Sequence, residues 1–124
     1  MRLVVRLGLV AALVVGCGRA TDEPLASGAI RLLTARPDIV GCPANVVEGD
    51  LVADPAAGTA ISTTDSRRPI KWPYGYSGRM NGAVVEIIDA TGQVVARTGT
   101  KVRLDGGEAE KGTWVACPRL QTLP

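Results

Sequence analysis

Ala83-Val84-Val85-Glu86-Ile87-Ile88-Asp89 is followed by Ala90-Thr91-Gly92 and then by Gln93-Val94-Val95-Ala96-Arg97-Thr98. Two short runs rich in β-branched residues, parted by a Gly-containing turn, are the pattern of neighbouring strands joined as a hairpin. A helix would need apolar residues three and four apart over ten or more positions, and no stretch after residue 28 offers that. Outward from this pair, Asn81-Gly82 is a turn signal before the first run and Gly99 breaks the second. Lys101 to Leu104 alternates polar and apolar side chains until Asp105-Gly106-Gly107 ends it. Glu108 to Gly112 reads as a polar connection, Thr113 to Cys117 as a last strand, and Pro118 to Pro124 as a tail.

The same signals recur toward the N-terminus. Ala29 to Ala35 is a strand candidate stopped by Pro37. Asn45 to Ala53, carrying Val46, Val47, Leu51 and Val52, runs into Asp54-Pro55-Ala56-Ala57-Gly58. That is turn chemistry, because Pro sets a turn φ and Gly accepts a left-handed one. Thr59 to Thr63 returns and closes a second hairpin. Thr64 to Gly78 has little apolar period and holds Trp72, Tyr74 and Tyr76, three of the four aromatic residues. Five to seven short antiparallel strands with closely spaced turns predict an all-β domain over residues 29–124, a small barrel or sandwich, with an OB-like β-barrel the first choice.

The start of the chain differs in kind. Met1-Arg2 and Arg6 precede the apolar run Leu7 to Val15, and Val14-Val15-Gly16-Cys17 closes it. A spanning helix needs roughly 20 apolar residues, and only nine, Leu7 to Val15, run unbroken by charge. The order of basic, apolar and small residues is that of a secretory signal peptide. With Cys directly after Gly16 it resembles the lipobox of bacterial lipoproteins. The resemblance implies a diacylglycerol on the Cys17 thiol, cleavage before it, and a mature protein held on a membrane by its lipid. The expectation is therefore a lipoprotein signal peptide over 1–16, a lipidated flexible tether over 17–28, and a domain facing the periplasm or the cell exterior.

Charge and cysteine usage narrow the partners. The chain carries 14 Lys and Arg against 12 Asp and Glu; without Arg2 and Arg6, 12 of each sign remain. A near-neutral mature chain lacks the basic footprint of a nucleic-acid binder. There is no His, which removes the commonest general base and the commonest imidazole ligand. With Cys17 committed to lipid, Cys42 and Cys117 remain, each followed by Pro. In an exported protein the plain reading is a structural disulfide. The Cys-x-x-Cys spacing of a redox pair is absent, and two thiols without a His are too few ligands for zinc. No metal and no cofactor is expected.

Three pieces of the chain look familiar together: Gly49-Asp50-Leu51-Val52 with Asp54-Pro55 and Gly58; Lys71-Trp72-Pro73 with Gly75-Tyr76; and Asp89, Gly92, Val94-Val95-Ala96-Arg97, Gly99, Val102, Leu104 and Gly106-Gly107. The set, covering Val46 to Cys117, resembles small exported proteins of actinobacterial type. The resemblance implies an OB-like β-barrel; its motifs are turn glycines and core valines, and they carry over no functional residue.

Trp72-Pro73-Tyr74-Gly75-Tyr76 is the most distinctive local feature, and Arg67, Arg68, Lys71 and Arg79 set four positive charges around it. If the segment were extended, positions 72, 74 and 76 would share one face. The candidate ligand-binding surface is thus Arg67, Arg68, Lys71, Trp72, Tyr74, Tyr76 and Arg79, with arginine forks for carboxylate or phosphate. The plainer use of Trp72 is to plug one end of the barrel, and of the cations to keep a sheet edge solvated. Among the carboxylates Asp50, Asp54, Glu86 and Asp89, Asp54 and Asp89 each precede a turn Gly and are expected to cap those turns. The function expected is that of a lipid-anchored, non-enzymatic module binding an envelope ligand or partner protein. A structural or accessory subunit of a membrane complex is the alternative, and a carboxylate-dependent hydrolase of envelope polymers the remotest.

Overall fold

The computed structural model of the chain describes residues 28–37, 41–109 and 112–124. The expected signal peptide, Cys17 and all of the tether before Gly28 lie outside the described residues. The strands are β1 (Ala29–Ile30), β2 (Asn45–Asp54), β3 (Gly58–Ser62), β4 (Arg67–Lys71), β5 (Ser77–Asn81), β6 (Val84–Ile88), β7 (Val94–Arg97), β8 (Lys101–Glu108) and β9 (Trp114–Thr122). The expected all-β class holds. The expected count does not: among the described residues nine strands form two sheets.

One sheet has the order β1-β5-β6-β7. In the other, β2 pairs with β3, β3 with β4, β4 with β9, β9 with β8, and β8 again with β2, so the ring closes. Among the described strands every pairing is antiparallel except β4 with β9, and an isolated bridge between Thr34 and Trp72 is parallel too, which corrects the expectation of antiparallel strands alone. β4 itself, Arg67-Arg68-Pro69-Ile70-Lys71, was expected to be irregular. It carries no alternation because Ile70 is its one fully buried side chain. Pro69 is accommodated because β4 changes neighbour there: Arg67 to Pro69 face β3, and Ile70 and Lys71 face β9. A strand bonded on one side at a time tolerates a missing N–H.

β8 also runs past its expected end at Asp105 to Glu108. Gly106 is needed there because a Cβ would overlap the Val115 carbonyl of β9. β9 continues through the expected tail to Thr122, but its register breaks. Leu104 pairs with Leu120 and Gly106 with Ala116, so β8 advances two residues while β9 advances four. The surplus is accommodated around Cys117-Pro118-Arg119, and Pro118 has no N–H to offer a ladder in any case.

Both sheets feed one core. Leu51, Ile61, Ile70, Trp72, Val102, Leu104 and Trp114 come from the ring and its continuation, and Val85, Ile87 and Ala96 from the second sheet. Along β6, Val85 and Ile87 point inward, which puts Glu86 on the opposite face, as the two-residue period requires. Complete burial of such an aliphatic side chain is worth about 1.5–3 kcal/mol. Asp54 accepts the Ala56 and Ala57 N–H groups (3.1 and 2.9 Å), and Asp89 accepts those of Thr91 and Gln93 (2.9 and 3.0 Å), so both cap turns as expected. Residues 31–33 pass beside the β2–β3 hairpin, where Leu33 N–H donates to the Ala57 carbonyl at 3.0 Å. Gly58 permits that passage, since a Cβ on it would sit 2.6 Å from the Arg31 carbonyl oxygen. The disulfide Cys42–Cys117 joins the segment before β2 to the irregular part of β9, with Cα atoms 5.7 Å apart.

Candidate functional site

The seven residues of the expected ligand surface do not converge. Trp72 is 1% exposed, part of the core, and its Nε1–H donates to Thr59 Oγ1 at 2.8 Å. Tyr76 stacks on it with ring centroids 6.0 Å apart and planes 14° from parallel. Tyr74 is 63% exposed. The three rings share no face because the segment is a turn: Tyr76 N–H donates to the Pro73 carbonyl at 3.2 Å and Gly75 takes φ +85°. The reversal folds Tyr76 back over Trp72 and leaves Tyr74 at the tip. Burial, and after it the negative charge of Asp89, push the Tyr76 hydroxyl pKa up.

The cations are dispersed as well. Arg67 Nη2 donates to the Ala53 carbonyl at 2.7 Å and lies 3.4 Å from Asp54 Oδ1, bracing the β2–β3 hairpin. Arg68 lies 3.9 Å from the Glu108 carboxylate, and Lys71 ends β4 half-buried. Arg79 belongs to the other sheet, where its Nε donates to Glu86 Oε1 at 3.0 Å while Arg97 Nε donates to Oε2 at 3.0 Å. Both are cross-strand neighbours of Glu86. The Arg79 hydrogen bond, with that of Arg97, holds the Glu86 carboxyl below the usual carboxylate range against burial, which acts the other way. Trp72, Tyr76, Arg67 and Arg79 are thereby occupied in the fold; Tyr74 alone of the aromatics is presented to solvent.

A set of concavities gathers around Pro118, one of them lined by Tyr74. One of about 390 Å³ lies between Ala35-Arg36-Pro37 and Pro73-Tyr74, over the cystine. Another of about 520 Å³ runs from Cys42–Val46 to Asp105 and Arg119, and a third of about 500 Å³ from Arg103 to Gln121. A small one of about 170 Å³ opens beside Trp72, Tyr76 and Leu120. Pro118 lines all four, so they adjoin at the irregular part of β9 and are together called the depression around it, with Tyr74 lining the first of them.

No family model, no curated protein and no solved structure matches this chain.

The depression owes its shape to groups that cannot relax. Pro37, Pro43, Pro73 and Pro118 have fixed φ values, and the cystine pins Cys117 beneath them. Among the described residues its charged lining is Arg36, Arg103, Arg119 and Asp105, and Arg103 is paired with Glu48 at 3.7 Å. Arg36, Pro37, Pro118 and Arg119 were missed as site residues from the sequence. The available signal was the repeated Cys-Pro, which puts two prolines beside the cystine once the bond is formed. A separate concavity of about 650 Å³, walled by Ala29–Leu33, Ala53–Ala56 and Met80, is largely aliphatic. Among the described residues no three His, Cys, Asp or Glu side chains cluster as a metal ion would need, and no helix is long and apolar enough to cross a membrane.

Proposed function

We propose that the chain is a lipid-anchored, non-enzymatic binding module of the bacterial cell envelope, built on an OB-like barrel. The ring order supports the barrel assignment. Numbered along the chain, its strands β2, β3, β4, β8 and β9 are first to fifth and lie in the order first-second-third-fifth-fourth, with third and fifth parallel. This order supports reading the ring as the five-stranded Greek-key barrel of an OB fold. β5, β6 and β7 of the second sheet are then an insertion between the third and fourth strands, and β1 joins them from before the first. Val14-Val15-Gly16-Cys17 supports the anchor.

The single observation that carries the binding reading is the depression around Pro118, preformed and rimmed by an exposed Tyr74. Pockets of roughly 300–1,000 Å³ with a few placed polar groups are the usual form of a ligand site. Rigid walls lose little side-chain freedom when a ligand arrives. The carboxylates Asp54, Glu86 and Asp89 are engaged by backbone N–H groups or arginines, which favours binding over acid–base chemistry. Two measurements test the proposal. The N-terminal peptide of the membrane-fraction protein should begin at an acylated Cys17; a mature form retaining Met1 refutes the anchor. Wild-type protein should co-sediment with isolated envelope material, and Tyr74→Ala should lose that retention about tenfold; equal retention refutes the site.

A further inference from the structure

We infer that the depression around Pro118 holds an anionic glycan, its sugar rings lying over Tyr74 and the cystine and its acidic groups on Arg119 and Arg36. This names the ligand class of the site proposed above and rests on that reading.

The surface itself selects the class. Pro43, Pro118 and the Cys42–Cys117 cystine line one of its concavities, and the same cystine and Pro118 line the next together with Pro37, Pro73 and Tyr74. Prolines present no N–H, so an extended peptide would find no row of backbone donors with which to pair as an added strand. A sugar ring needs none of these. Its C–H face packs on flat apolar surfaces such as a tyrosine ring or a pyrrolidine, and its hydroxyls bond to side-chain amides. Gln121 stands in the depression at the far end and Asn45 along one side. The Tyr74 ring, exposed and carrying a hydroxyl, suits a partner that is apolar on one face and wet on the other.

Charge then divides acidic from neutral glycans. Among the described residues Arg36 and Arg119 stand against Asp105, with Arg103 paired to Glu48 at 3.7 Å, an excess of one positive charge, although the chain beyond residue 16 is balanced. Guanidinium forks match carboxylate and phosphate alike. The surplus residues of β9 matter here too. The irregularity at Cys117-Pro118-Arg119 breaks the ladder at the point where the four concavities meet, and irregular strand positions of this kind re-aim side chains beside sites. The face that OB barrels commonly use, the outside of the second and third strands, is partly taken up in this chain. Residues 31–33 lie against Gly58 there, and Ala60 is fully buried.

The test uses the full-length lipidated protein in detergent and cell-wall material stripped of protein by protease. One portion has its carboxylates amidated with carbodiimide, and another has its phosphodiester polymers removed with hydrofluoric acid. Wild type should sediment with the untreated wall, and one of the two treatments should reduce that at least tenfold, which identifies the anion. Tyr74→Ala and Arg119→Ala should each weaken it at least tenfold while keeping the Cys42–Cys117 bond in non-reducing peptide maps. Arg119→Lys should fall between. Retention indifferent to both treatments, or equal in the variants, overturns the inference. So does Tyr74-dependent retention on whole envelope that vanishes after protease, which would leave the binding-module reading standing with a protein ligand. Absence of Tyr74-dependent retention on any envelope material would sink both.

Discussion

Glu86 is 2% exposed and yet charged, because two arginines from the flanking strands close over it. Its carboxyl pKa lies lower in the folded chain than in the unfolded one. The stability it contributes is therefore complete above the ordinary carboxylate range, near pH 4.3, and lost as the pH falls through the folded value. Asp89, lowered first by the Thr91 hydroxyl and next by the Gln93 N–H, acts in the same direction. Glu86→Gln should lower the melting temperature at pH 7, since two guanidinium groups would face each other across an uncharged amide, and should flatten the acid limb of a melting-temperature profile between pH 5 and 2. A variant curve parallel to wild type would contradict this. Thr59 supplies the acceptor for the buried Trp72 indole. Thr59→Val should cost about 1–3 kcal/mol by orphaning that donor, measured by urea unfolding, and Thr59→Ser should recover most of it. At this scale the sequence is legible where the chemistry is local: Asp54 and Asp89 cap turns that begin at themselves. Trp72 was ambiguous because its burial depends on a reversal at Gly75, and residue spacing cannot distinguish a turn from an extended run.

Elements obey the same division. The β6–β7 and β2–β3 hairpins could be read directly, because their turns and their apolar residues lie within a few positions of each other. β4 and the later halves of β8 and β9 were hidden by Pro69, Gly106-Gly107 and Pro118, residues that ordinarily end strands. Each is tolerated for a tertiary reason absent from the local sequence: a change of partner at Pro69, a close crossing at Gly106, and a surplus loop of strand at Pro118. Gly106→Ala should accordingly destabilise the protein by about 1–3 kcal/mol, the usual toll of overpacking. Gly82, which has open space at its Cβ position, is the control, although its φ of +62° makes that change unfavourable too. The comparison is a pair of urea midpoints, and a Gly106→Ala midpoint at or above that of Gly82→Ala would refute the crossing argument.

For the whole molecule, strand content was legible and strand order was not. The ring depends on β4 lying parallel to β9, a contact between residues about forty positions apart with no sequence signature of its own. The cystine was legible once Cys17 was set aside as the expected lipid site, which left Cys42 and Cys117 to pair. Closing 75 residues, it should contribute about 4 kcal/mol through the unfolded state. Cys42→Ser with Cys117→Ser should therefore lower the melting temperature by about 20 °C; a shift under 5 °C would show that the bond is idle.

That bond also sets how the domain would respond to being stretched. Cys42 precedes β2 and Cys117 lies within β9, so every strand from β2 to β8 falls inside the covalent loop. Tension applied between residue 28 and residue 124 runs through sulfur and bypasses them. Only the backbone up to Cys42 and the last turn of chain after Cys117 can lengthen. A pull on the two ends of the domain therefore leaves most of its strands slack.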